Sequence, residues 1–147
     1  MSLQARFETL AASQELTPVA ELDALFDALP AADEAFMLGE WTGGVFNTGH
    51  PGQHQLDSLN WAGKTFRSRD DVDPIVVWQA DGSRAASPVM GSASLRQVAY
   101  RGVVTATMVY DKHPIFDHFR QAGPDAALGV MDRKGDPMPL YFYLRRF

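Results

Sequence analysis

No cysteine occurs anywhere in the 147 residues. That excludes disulfides, thiol nucleophiles and Cys-ligated metal centres, and it suits a reducing compartment such as the cytoplasm. No stretch approaches the ~18 consecutive apolar residues of a membrane-spanning helix. Arg6 and Glu8 interrupt what would be the apolar part of a secretory leader, so none is expected and the expected location is cytoplasmic. Positive charge is also scarce: 13 Lys and Arg stand against 18 Asp and Glu, a formal charge of −5. A nucleic-acid partner, whose phosphates call for a basic face, is therefore not expected. The chain has no Gly-rich phosphate loop, no Gly-x-Ser-x-Gly elbow and no internal repeat. Asp70-Asp71-Val72-Asp73 lacks the spacing of a calcium loop and reads as a solvated turn.

The length allows one domain with a real core. Residues 2–12 read as a short helix with Leu3, Phe7 and Leu10 on one side. Thr17-Pro18 reads as a cap and first helical residue, followed by Val19, Leu22, Leu25, Phe26 and Leu29 at helical spacing, with Pro30 as the stop. The opposite face of this second helix carries Glu21, Asp23 and Asp27, which disfavours an anionic membrane surface. Its expected place is on the body of the protein as a lid or plug. Residues 1–33 thus form a helical segment, and the character changes after Pro30. Strands are expected near 36–46, 63–67, 74–79, 84–89, 95–101, 103–110, 114–121, 126–131 and 139–146. Asp81-Gly82 is a hairpin signal. Many short strands with regular turns predict a mainly β fold, a closed antiparallel barrel over 34–147 behind the helices.

Within 95–110, Val98, Tyr100, Val104, Ala106, Met108 and Tyr110 share even numbers, with Arg101, Thr105 and Thr107 between them. Apolar parity runs through Gly102 without a slip, which favours one long strand bent there over a hairpin at Arg101-Gly102. The even face is expected to point inward.

Gly39-Glu40-Trp41-Thr42-Gly43 sets one Trp between glycines, and Thr48-Gly49-His50 and Trp61-Ala62-Gly63-Lys64 follow. The missing Cβ atoms on the face of Trp41 let another element approach, or the strand bend. This stretch resembles the GXWXG family of bacterial proteins, with a first half near 36–90. The second half, near 91–147, resembles the domain of unknown function that accompanies it. Tyr100-Arg101-Gly102, Met108-Val109-Tyr110-Asp111, Asp117-His118-Phe119-Arg120, Gly129-Val130-Met131-Asp132 and Tyr141-Phe142-Tyr143-Leu144 carry that likeness. The resemblance implies a lipocalin-like barrel and no established reaction. In such barrels the Trp closes the base under an Arg of the last strand, here Arg145 or Arg146. Gly39, Trp41 and Gly43 are then structural, although direct contact of Trp41 with a ligand remains the alternative.

Barrels of this class mostly carry small hydrophobic ligands, which is analogy from fold. The expected function is binding of a lipid, phospholipid or fatty-acid-like amphiphile, with no cofactor and no metal, and the reading admits a homodimer. The expected ligand-binding residues are Lys64, Arg96, Tyr100, Val104, Ala106, Met108, Tyr110, Asp117, His118, Arg120 and Tyr143. Asp117 and His118 are adjacent in a strand, so they face opposite ways and one of them faces the lumen. A buried Asp117 would need Lys64, Arg96 or Arg120 as its partner, for structure or for gripping an anionic headgroup. The tyrosines suit a mixed pocket or ordinary strand packing. His50 and His54 flank Pro51-Gly52 in an expected loop, where their spacing says little about zinc. A hydrolase or isomerase using Asp117 or His118 as base is the alternative function. A haem barrel with His118 as axial ligand is a third.

Overall fold

The computed structural model describes residues 1–147. Eight antiparallel strands close a barrel in the order β1 (Gly39–Val45), β2 (Trp61–Ser68), β3 (Asp71–Trp78), β5 (Ala93–Tyr100), β6 (Val103–Tyr110), β7 (Ile115–Gly123), β8 (Ala126–Arg133) and β9 (Leu140–Arg146), which pairs back to β1. The ninth strand, β4 (Arg84–Ala86), pairs only with the end of β3. The fold is thus the expected lipocalin-like barrel with N-terminal helices. No helix is long and apolar enough to cross a membrane.

Several local expectations need correction: the second helix begins at Val19 with Pro18, not Thr17, at its cap position, and the 84–89 strand stops at Ala86 before a helical turn at Pro88–Met90. The start of the 36–46 strand is instead a helical turn, α3 (Glu34–Met37), because the Asp33 carboxylate accepts from the Phe36 N–H at 2.7 Å and caps it. Residues 95–110 are a hairpin and not one bent strand. Arg101 and Gly102 both have positive φ (50° and 80°), the requirement of a tight two-residue turn. Such a turn reverses parity: Tyr100 pairs with Val103, and Leu95 with Met108. The inward residues are therefore odd in β5 (Ala93, Leu95) and even in β6 (Ala106, Met108, Tyr110), while Val98 and Tyr100 lie outside.

The middle of the wall from β7 through β9 is buried on both faces. Inside, Trp41, Phe66, Leu95, Met108, Phe119, Phe142 and Leu144 form the barrel core. Outside, Ala122, Leu128, Val130, Tyr141 and Phe46 pack against Phe7 of α1 (Leu3–Ala12) and against Leu22, Leu25 and Phe26 of α2 (Val19–Ala28). The second helix therefore covers the side of the barrel and plugs neither end. The segment after it joins the wall: the Ala106 N–H donates to Ala32 at 2.9 Å and the Gln121 N–H to Pro30 at 3.0 Å, filling the splay between β6 and β7.

Trp41 is fully buried near one end of the barrel. Its indole N–H donates to Met37 at 2.9 Å, and the Arg146 guanidinium lies 4.3 Å over its ring. Trp41→Ala removes this ring from a closed core, so we expect a loss of about 3–5 kcal/mol in chemical denaturation. A midpoint within error of the parent would show that the ring is not the closure of that end.

Candidate functional site

The other end of the barrel opens into a cavity of about 100 Å³. That is less than the roughly 150 Å³ of a dry cavity that takes up one benzene molecule. β2, β3, β6, β7, β8 and β9 contribute Trp61, Lys64, Ile75, Tyr110, Ile115, Asp117, Met131, Leu140 and Phe142. Met90, on a helical turn at Pro88–Met90, fills beside β3. A helix the sequence did not suggest, α4 (Gly52–Ser58), lies at the mouth with Gln55 and Leu56 among the lining residues. His50 anchors it. The Nδ1 of His50 accepts from the Gly52 N–H at 2.9 Å, which leaves Nε2–H to donate to Asp136 at 3.2 Å. Arg133 holds the same carboxylate at 2.6 Å. His54 stands on α4, exposed, and His50 turns to Asp136, so the two do not converge.

Lys64 and Asp117 meet in this cavity wall. The Nζ of Lys64 lies 3.1 Å from Asp117 Oδ2 and donates to the Pro74 carbonyl at 3.1 Å. Both side chains are 3% exposed. Around the ammonium stand the rings of Phe142 (5.2 Å), Trp61 (5.5 Å) and Tyr110 (5.8 Å). Burial pushes the Asp117 carboxyl above the usual carboxylate range despite Lys64, and the same burial holds the Lys64 amine below the usual lysine range despite Asp117. Burial and the Asp117 charge together push the Tyr110 phenol well up. Asp117 Oδ1 and the Trp61 indole N–H are buried with no hydrogen-bond partner.

An irregularity in β2 brings Trp61 and Lys64 to one side. Pairing with β3 shifts between Trp61 and Gly63 and again between Gly63 and Thr65. A bulge of this kind re-aims side chains, so residues three apart share the lumen. Gly63 sits at φ +147°, and any Cβ there would strike the Trp41 carbonyl. At Gly43 the missing Cβ is replaced by the ring of Trp61, which lies flush on the backbone.

Of the residues expected at a ligand, Lys64, Tyr110 and Asp117 line the cavity. Ala106 and Met108 point inward but belong to the packed core beyond it. The others lie elsewhere. Arg96 is on the exterior with Asp70 at 2.6 Å, and Val104 is 57% exposed past the barrel rim. Arg120 is buried outside the barrel, donating to the Phe26 and Leu29 carbonyls at 2.8 Å each, where a cation suits the end of α2. Tyr143 packs outside against Phe7 and Phe46. His118 also faces out, stacked on Tyr100 with centroids 4.0 Å apart. Its ring nitrogens meet Thr107 at 2.9 Å and Asp132 at 3.3 Å, so it is placed for neither lumenal base chemistry nor haem ligation. Sequence reading did not single out Trp61, Ile115, Met131, Leu140 or Phe142 as site residues. The alternation Leu140, Phe142, Leu144 in the last strand was the available signal for part of that wall.

Removing one member of the ion pair leaves the other buried and unpaired, so Asp117→Asn should cost about 3–5 kcal/mol, whereas the double variant Lys64→Met with Asp117→Leu should be neutral or more stable. Urea unfolding of the three proteins checks this, and an equal loss in single and double variants would show that the pair is not isolated from water. For His118, burial holds the imidazole below its usual 6.5, against the pull of Asp132. The unfolded chain therefore takes up the proton first, and stability declines as pH falls below about 6.5, by up to ~1.4 kcal/mol per pH unit for one proton. His118→Gln should flatten that decline, and a parallel pH profile for the two proteins would contradict it.

Residues 24–82 match the family model described as GXWXG protein, and residues 91–146 match that of a domain of unknown function, DUF4334. No curated protein matches the chain. Among solved structures, the crystal structure of a protein from Thermomonospora curvata is similar, at 42% identity over 100% of this chain and 99% of that one, with a TM-score of 0.93. The two matched stretches are halves of one closed barrel, and Lys64 comes from the first while Asp117 comes from the second. By these likenesses the chain belongs to the GXWXG family, in the form that carries the DUF4334 domain.

Proposed function

We propose that the barrel binds a small amphiphilic molecule in this cavity. Its apolar part would lie against Ile115, Met131, Leu140 and Phe142, and its polar end would reach Lys64 and Asp117. The observation that carries this reading is Asp117 Oδ1, a buried carboxylate oxygen without a partner at the wall of a mostly apolar pocket. An unmet acceptor there is costly, and a ligand donor offsets that cost. Trp61 supplies an unmet donor in the same wall. A hydroxyl has both the donor that the one lacks and the acceptor that the other lacks.

Charge and volume refine the ligand beyond a general lipid. The Lys64 charge is already neutralised by Asp117, so the pocket has no net cation to spend on an anionic headgroup. The space suits about four or five buried heavy atoms at one end of a short single chain, the rest reaching out through the mouth, and not the two chains of a phospholipid. Binding is favoured over hydrolysis because Asp117 is the only one of the two candidate bases in the wall; His118 lies on its far side.

Octanol is a suitable probe. Calorimetric titration should show one saturable site in the parent, weakened about tenfold or more in Met131→Trp, which fills the cavity from a partly exposed position. No binding by the parent, or equal binding by both proteins, would overturn the reading.

A further inference from the structure

A neutral hydroxyl does not explain why the wall holds a lysine. Serine, asparagine or glutamine would hydrogen-bond an alcohol without bringing two charges out of water, which costs several kcal/mol per ion before their attraction is counted. An amine at this position offers one thing those side chains lack, a nitrogen nucleophile. Desolvated lysines beside a proton acceptor are the ones suited to attack carbonyl carbon.

We propose that Lys64 is an attachment point for a small aliphatic aldehyde or ketone, which it holds as an imine with Asp117 as proton shuttle and counterion. This deepens the binding reading above and rests on it. Lys64 is one of the residues that line the cavity, and its amine is buried with Asp117 in that wall. Asp117 Oδ2 stands 3.1 Å away to take the ammonium proton, and the Pro74 carbonyl at 3.1 Å helps hold the nitrogen in place. Phe142, Trp61 and Tyr110 surround the nitrogen at 5.2–5.8 Å. Their ring faces favour a cation there, whether ammonium or iminium.

The chemistry balances with these groups alone. The ammonium of Lys64 passes a proton to Asp117, and the free amine adds to the carbonyl carbon. The carbonyl π pair moves to oxygen, which takes the proton from Asp117 while the carboxylate recovers one from the nitrogen. This leaves a neutral carbinolamine and a protonated Asp117. Asp117 then protonates the hydroxyl, which leaves as water while the nitrogen lone pair forms the C=N bond. The product is a protonated imine beside the Asp117 carboxylate. One water is released, nothing is oxidised or reduced, and the ion pair persists with the iminium in place of the ammonium.

Octanal and octanol form a matched pair of probes, of which only the aldehyde can form the imine. The folded parent protein is incubated with octanal and cyanoborohydride, then mapped by peptide mass spectrometry. One octyl group should appear on Lys64 at least tenfold faster than on Lys112 or Lys134, which are exposed. Excess octanol should slow that labelling. The double variant Lys64→Met with Asp117→Leu, chosen because it leaves no buried charge unpaired, should retain only the slow surface labelling. If octanol binds but Lys64 is labelled no faster than the exposed lysines, the imine proposal fails while the binding reading stands. If octanol does not bind and Lys64 is not labelled, both fail.

Discussion

A lysine and an aspartate held together out of water govern this end of the barrel. Lys64 and Asp117 are not neighbours in any single motif; they lie on β2 and β7, on opposite sides of the strand order. Only a closed sheet brings them within 3.1 Å. Each charge would be untenable alone in such surroundings, and together they still strain towards their neutral forms, as the directions of both pKa shifts show. The pair therefore ties barrel closure to site chemistry. A change that opened the seam between the two family halves would separate the only two charged groups that face each other in the lumen.

The same closure explains where the remaining polar candidates went. Because α1 and α2 cover the outside of β7 to β9, that wall has two interiors. The four residues 117–120 in the middle of β7 are all buried, but in different cores: Asp117 and Phe119 inside, His118 and Arg120 outside. Arg120 spends its charge on the last carbonyls of α2 and its planar face on Phe26, 4.5 Å away. His118 serves the outer core through Thr107, Tyr100 and Asp132. Neither is available to a lumenal ligand, although both are as buried as Asp117.

Much of the architecture was legible from residues. The strand positions other than the division of 95–110, the two leading helices and the barrel class follow from alternation, turn residues and the Gly-x-Trp signature. The opposite facing of Asp117 and His118 followed from strand geometry alone. What was not legible has a common cause: faces were assigned by counting, and counting fails wherever the chain slips by one. The two-residue turn at Arg101-Gly102 inverts the parity of β5 relative to β6, which moved Tyr100 out of the lumen. The bulge before Lys64 does the reverse for Trp61, an odd-numbered residue that joins an even one inside. In β7 to β9 a helix-covered outer face makes both parities apolar, so alternation no longer marks the inside. Helix α4 was invisible because a seven-residue helix with no buried side chain leaves no apolar stripe.

The family signature takes on a sharper meaning once the cavity is in view. The Trp41 ring is not among the residues that line the cavity, but its backbone pairs with Lys64 across β1 and β2, and the stretch around it shapes the site. Bare backbone at Gly43 lets the Trp61 ring lie flat on β1, and that ring is a wall of the cavity. Bare backbone at Gly63 lets β2 press on the Trp41 carbonyl, and this contact lies at the irregularity that turns Lys64 inward. The signature thus acts through contact with the second strand and not through the ligand. A side chain at either glycine would displace Trp61 or Lys64 without touching the cavity itself, so the spacing of the motif is a constraint on the site as much as on the fold.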